Sequence, residues 1–332
     1  MNAPRRILLI HFGQLGDAVL ALPAARALCA RFPRARMTVL CARGSDEIFR
    51  MGGLGAGGGD IWAVDRVLWK RQPWRAAVAV PWLLLRLRFQ RFHLSVDLHS
   101  YKETNWLAFL AGIPERVAML RPTRSIPSLI NRKPPPDDPA GRLLDRYCQV
   151  LQPLGIQLAA ADRIPTLTPP PPPQGLGDGD RPMLGICPGA GHPSRRWPPD
   201  RFAAVAQVWL ARGARVLVFA GPEEDAAVMA PLAAVPSLEI FRHLSLPELA
   251  GALARCRVVL TNPTGPSHIT AAVGARVLTL GEIPAFDPVP VPPGAVVALR
   301  AQGAISSISV PVVLAALEQL WQGDREGGSR KW

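Results

Sequence analysis

Five consecutive prolines, at positions 169–173, constrain this chain more than any other feature. Proline lacks a backbone N–H and fixes φ, so neither a helix nor a central strand can run through them. Gly175, Gly177 and Gly179 follow, and Pro165 and Pro182 bound the stretch. It reads as a connection, first stiff polyproline and then flexible. The run lies near the middle of 332 residues, which is about two domains' worth of chain. The predicted division is a domain over 1–165, a Pro/Gly-rich linker over 166–182, a domain over 183–322 and a frayed tail over 323–332.

On each side of the linker the sequence alternates short apolar runs with segments of helical spacing. Before it, strands are expected at 7–10, 37–41, 63–68 and 94–98, with helices at 15–32, 74–92 and 138–154. After it, strands are expected at 183–187, 214–220, 258–261 and 277–280. Helices are expected at 199–212, 223–234, 246–256, 265–273 and 310–321, with Ser245 capping the third. This is the rhythm of two doubly wound α/β domains, and a cleft between two such domains is a common ligand site. The hydrophobic content of 48% excludes a disordered chain. The apolar run after Arg5-Arg6 is too short for a signal peptide, and no stretch has the 18 or so apolar residues of a membrane span. Five scattered cysteines without a C-x-x-C pair signal neither zinc nor a disulfide framework, and a reducing compartment fits.

The net charge of +13 is unevenly placed. Residues 1–170 hold 24 Lys/Arg against 12 Asp/Glu, whereas 171–332 hold 14 against 13. An anionic partner for the first domain is therefore expected: a membrane surface, a nucleic acid or a phosphorylated substrate. No nucleic-acid recognition motif accompanies the charge, so nucleic acid is not expected. Segment 74–92 interleaves Arg and Trp with leucines. Two readings stand: a sheet-covering helix with an Arg-rich outer face, or an interfacial helix on anionic lipid.

Three strand-to-helix loops carry candidate chemistry. His11-Phe12-Gly13-Gln14-Leu15-Gly16-Asp17 ends a strand and sets Asp17 at a helix start, where a carboxylate can act as a general base or merely favour the helix dipole. Its Gly-x-x-Gly spacing is not the dinucleotide fingerprint. Pro188-Gly189-Ala190 leads to Arg195-Arg196-Trp197-Pro198, with two guanidinium groups suited to phosphate oxygens. Asn262-Pro263-Thr264-Gly265-Pro266-Ser267-His268 puts small residues at a helix N-terminus, the ordinary seat of an anion.

Together, and with Asp97-Leu98-His99 and Gly221-Pro222-Glu223-Glu224 in the same order, these segments resemble glycosyltransferase family 9, the ADP-heptose:lipopolysaccharide heptosyltransferases, over about residues 5–282. The resemblance implies a GT-B fold of two Rossmann-like, doubly wound domains facing an inter-domain cleft. It implies metal-independent, inverting transfer of a heptose-like sugar from a nucleotide diphosphate, ADP-heptose first, to a lipopolysaccharide-core-type acceptor. The nucleotide-sugar is then a substrate, and no further cofactor is implied. Asp17 matches the catalytic base. Arg195, Arg196, Thr264, Gly265, Ser267 and His268 fall to the donor diphosphate and sugar, and Gly189 and Glu223 to the nucleotide. Gly16, Asp97, His99 and Lys102 fall to the acceptor side. The implied partners are the donor, a phosphorylated lipid-linked saccharide and the inner-membrane surface, and the implied location is cytoplasmic. Pro263 stands where the family has an acid, and the segment 281–293 departs from the family. A different nucleotide-sugar, or a non-catalytic nucleotide- or glycan-binding homologue, are the alternative readings.

Overall fold

The computed structural model describes residues 3–56, 58–173, 175, 176, 181–221, 224, 226–282, 296–301 and 303–323. The chain divides into two compact units, Met1–Pro165 and Thr166–Trp332. Each is a parallel sheet wound on both faces by helices.

The first unit runs β1 (Arg6–His11), α1 (Leu15–Arg31), β2 (Arg36–Ala42), α2 (Ser45–Met51), β3 (Asp60–Val64), α3 (Arg66–Arg71), α4 (Pro73–Gln90), β4 (Leu94–Asp97), α5 (Lys102–Leu110), β5 (Glu115–Ala118) and α6 (Leu143–Val150). Its five strands lie in the order β3-β2-β1-β4-β5. β1 is central, with Ile10 opposite Leu40 on one side and Asp97 on the other. A central strand must be apolar on both faces, and Ile7, Leu8, Leu9 and Ile10 are all fully buried.

The second unit runs β6 (Met183–Cys187), α7 (Pro199–Ala211), β7 (Arg215–Ala220), α8 (Ala226–Ala233), β8 (Glu239–Arg242), α9 (Leu246–Arg255), β9 (Val258–Thr261), α10 (Gly265–Ala272), β10 (Arg276–Glu282), β11 (Val296–Ala301) and α11 (Val310–Gln322). Its sheet is ordered β11-β10-β9-β6-β7-β8, so β6 takes the place that β1 has in the first unit. Both orders reverse direction beside the first strand, between β1 and β4 and between β6 and β9. Open parallel sheets bind ligands at the carboxyl ends of strands at such switch points.

Two of the expected elements have clearly different bounds. The third strand is Asp60–Val64 rather than 63–68, because Asp65 accepts a hydrogen bond from the Leu68 N–H at 2.8 Å and starts α3 there. The helix expected over 138–154 shrinks to α6. Pro139 and Gly141 disfavour its start, and after it a 3-10 turn, Gln152–Leu154, ends at Gly155 in the left-handed region. Just before the proline run the chain is tied to the second unit: the Leu167 N–H donates to the Ala272 carbonyl at 2.8 Å, and Leu167 is buried. The start of the helix expected at 223, most of the segment 281–293 and the tail from 324 lie outside the described residues.

Candidate functional site

In the first unit the switch-point loops are Phe12–Gln14, after β1, and residues 98–101, after β4. Gln14 caps α1, and its N–H donates to Asp17 Oδ2 at 2.9 Å. Gly13 makes this hairpin possible: a Cβ there would sit 2.7 Å from Asp17 Cβ and 2.9 Å from His11 Cε1. Partial burial pushes the Asp17 carboxyl up, while the Gln14 N–H and the guanidinium groups of Arg121 and Arg146 pull it back less strongly. Gly16 is buried one residue before it.

Asp97 ends β4 fully inside. Its Oδ1 accepts from the N–H groups of His99 at 3.1 Å and Ser100 at 2.7 Å, and its Oδ2 accepts from the Thr104 hydroxyl. Burial outweighs these bonds and raises its pKa to about 6. The result is a tight loop, with Ser100 at φ 48°, that presents His99 beside β1. His99 Nδ1 lies 3.2 Å from the Tyr147 hydroxyl, and His11 Nε2 lies 3.4 Å from the same oxygen. Burial lowers the pKa of His11 to about 3. Burial, and then Arg121, Arg124, Arg66 and Arg146, lower that of His99 to about 4. Both imidazoles are therefore neutral at physiological pH, and the charge at this end of the sheet is a carboxylate facing guanidinium groups.

Those cations are anchored. Arg146 makes two hydrogen bonds of 2.7 Å to Asp137, and Arg121 donates to the His99 carbonyl at 3.1 Å. Arg66 lies over the rings of Phe12 and Tyr101 at 5.1 and 4.7 Å. Lys102 is exposed as the first residue of α5. Asp17, His99 and Asp97 thus come together. His11, Tyr147 and the arginines join them, although the sequence reading gave them no role.

In the second unit, Asn262 joins the two switch-point loops. Fully buried, it donates Nδ2–H to the Pro188 carbonyl at 2.7 Å and the Gly189 carbonyl at 3.3 Å, and its Oδ1 accepts the Trp197 N–H at 3.1 Å. Trp197 is completely buried and donates Nε1–H to the Ile308 carbonyl. Arg196 donates to the Ala190 carbonyl at 3.0 Å and so closes its own loop, while Arg195 stands exposed in the turn Pro193–Arg195. Thr264 is the N-cap of α10 and does not cap it with its side chain; Gly265 opens the helix. The Ser267 hydroxyl donates to the Thr264 carbonyl at 2.6 Å, and burial lowers the pKa of His268 to about 4. The Glu224 carboxylate lies directly over Gly189: a Cβ there would meet Glu224 Oε1 at 1.5 Å. Glu224 also faces Gly221, so an acid stands at the carboxyl ends of β6 and β7. Glu223, expected at the nucleotide, lies outside the described residues. Among the described residues no cluster of His, Cys, Asp or Glu could hold a metal ion.

These loops can be set beside known proteins. The sequence pattern of glycosyltransferase family 9 (heptosyltransferase) matches residues 83–282. The chain is 26% identical to lipopolysaccharide heptosyltransferase 2 of Escherichia coli over 213 residues, which are 58% of this chain and 61% of that one. It spans 32% of the length of a Haemophilus influenzae lipooligosaccharide heptosyltransferase 2 that it also matches. In fold it is similar to the crystal structure of a family 9 glycosyl transferase from Veillonella parvula, with a TM-score of 0.80 and 20% identity, covering 97% of this chain and 99% of that one. The same holds for the E. coli heptosyltransferase WaaC with ADP-2-deoxy-2-fluoro heptose, with a TM-score of 0.75 and 16% identity, covering 95% and 99%.

Proposed function

The chain belongs to glycosyltransferase family 9, and from that membership we propose that it transfers a heptose-like sugar, with inversion, from ADP-heptose to a lipopolysaccharide-core-type acceptor. The observation that carries the reading is Asp17, a carboxylate at the start of α1 with a raised pKa, beside fixed guanidinium groups. Asp17 takes the proton of the acceptor hydroxyl, whose oxygen bonds to the anomeric carbon as the bond to the diphosphate breaks on the opposite face. The products are the glycoside, ADP and a proton. Arg66, Arg121 and Arg124 receive the anionic groups of the acceptor. The diphosphate gains charge as it leaves, and the α10 N-terminus with Arg195 offsets that charge without requiring a metal. Glu224, whose carboxylate stands over Gly189, is our choice for the acid that accepts a ribose hydroxyl. The heptose of ADP-2-deoxy-2-fluoro heptose in the WaaC structure supports the choice of donor.

Asp17→Asn tests this. It is expected to fold and to bind ADP with unchanged affinity by calorimetry, while kcat falls about 10²- to 10⁴-fold. Near-normal turnover would overturn the role of Asp17. Pro263 favours a second reading, because it offers neither an N–H nor a carboxylate to a sugar hydroxyl beside Thr264. Turnover with another nucleotide-sugar and none with ADP-heptose would select that reading. Binding of donor with no transfer would select the non-catalytic homologue.

A further inference from the structure

Helix α4 buries only Leu83 and Leu87 of its 18 residues. That rules out a helix whose apolar side chains all cover the sheet. Trp74, Val78, Trp82, Leu85 and Phe89 are instead exposed, Trp74 by 66% and Phe89 by 82%. Their spacing is that of one helical face: at about 100° per residue they fall within an arc of about 80°, opposite Leu83 and Leu87. The stripe is about 22 Å long at 1.5 Å per residue. Arginines border it, with Arg75 and Arg86 along one edge and Arg88 along the other. Arg75 lies 5.0 Å from the Trp74 ring centre, and Arg86 lies 5.4 Å from that of Trp82.

The apolar surface extends beyond the helix. Arg88 donates to the Leu110 carbonyl at 3.3 Å, bringing in the end of α5, where Trp106, Phe109 and Leu110 are also exposed. Residues 66–93 contain seven Lys or Arg and no Asp or Glu.

We propose that this stripe seats α4 in the plane of an anionic lipid bilayer. Indole and phenyl rings enter the boundary between headgroups and acyl chains, and the bordering arginines pair with lipid phosphates. Charge complementarity selects this occupant. A second copy of the chain docking through the same face would set arginine against arginine. Among the described residues no helix is long and apolar enough to cross a membrane, so the contact is one of lying on the surface. The contact would hold the first unit at the surface where a lipid-linked acceptor resides, but it does not depend on the transfer reaction.

Cosedimentation with vesicles, without donor or acceptor, tests it. The full-length protein is expected to pellet with phosphatidylcholine vesicles containing phosphatidylglycerol and about tenfold less with phosphatidylcholine alone. The double variant Trp82→Ser/Phe89→Ser, checked for an unchanged melting curve, is expected to lose about tenfold or more of that binding. Arg75→Glu/Arg88→Glu is expected to lose the preference for phosphatidylglycerol. Failure of the unaltered protein to bind, or equal binding by the apolar variant, overturns the proposal. So does a dimer in sedimentation velocity that the apolar substitutions dissolve. Because no sugar transfer is measured, failure here leaves the role of Asp17 standing, and failure of Asp17 leaves the bilayer contact standing.

Discussion

Asp17 and Asp97 are carboxylates at the same end of one sheet, and their surroundings give them different work. Asp17 keeps a partly open carboxyl held by one N–H, whereas three donors take up the Asp97 carboxyl inside the protein. Asp97 therefore shapes the loop that carries His99. Its folded pKa of about 6 lies above the ordinary 3.8, so the folded chain holds this proton more tightly than the unfolded one. The stabilisation is complete below the unfolded value and is lost as pH rises through about 6, on the order of 2–3 kcal/mol in all. Asp97→Asn should suit the loop, since Oδ1 can accept both N–H groups and the amide can donate to Thr104 Oγ1. In urea melts its stability relative to the unaltered protein should rise by that amount between about pH 4 and pH 7. Asp97→Ala strands two buried N–H groups and should cost about 2–4 kcal/mol at pH 5. A pH-independent difference for Asp97→Asn would refute the assignment. The placement of Asp17 at the start of α1 was legible because the strand end, the turn and the helix start lie within one short loop. Tyr147 was not, because it meets His11 across 136 residues, a distance that no local pattern spans.

Among elements, the strands of both sheets' centres were legible because burial on both faces forces an unbroken apolar run. Edge strands were less so: β3 was expected a few residues late, and β5, β8 and β11 were not expected. β8, with Glu239 and Arg242 at its ends, has no fully buried residue, so neither apolar run nor alternation announces it. α2 is a helix of seven residues between glycines, too short for a periodic signal. The loop ends of β6 and β9 were seen as two sites, and Asn262, which joins them, was quoted in its motif but given no role. Its three hydrogen bonds make the two loops one element. Asn262→Ala leaves the Trp197 N–H and the Pro188 carbonyl without their partner, a cost of about 2–4 kcal/mol in urea denaturation. ADP affinity should fall about tenfold at the same time, because Gly189 and Thr264 lose their common anchor. Lost stability with unchanged ADP affinity would separate Asn262 from the proposed donor site.

At the scale of the whole molecule, the two units share a strand order but not an electrostatic field. Residues 1–170 carry a net charge of +12 and residues 171–332 a net charge of +1. Some of the first unit's cations are locked in pairs, as Arg146 is with Asp137. Other arginines, Arg66 and Arg124 beside His99 and Arg75 on α4 among them, contribute to the first unit's excess of positive charge and to a field of that sign. Fields of this kind act over about a Debye length, roughly 10 Å at 0.1 M salt and 3 Å at 1 M. They raise the rate at which an oppositely charged substrate arrives more than they alter the chemical step. On the proposed reading, the donor's diphosphate would meet a nearly neutral unit, where the α10 N-terminus and Arg195 would act at contact distance and be screened less. The two substrates should therefore respond differently to salt. Raising NaCl from about 0.05 to 0.5 M should lower kcat/KM for a soluble phosphorylated acceptor about tenfold, while KM for the nucleotide-sugar changes no more than two- to threefold. A dephosphorylated acceptor should lose that sensitivity. Equal salt dependence for both substrates would mean that the charge of the first unit serves the lipid surface alone and not acceptor capture.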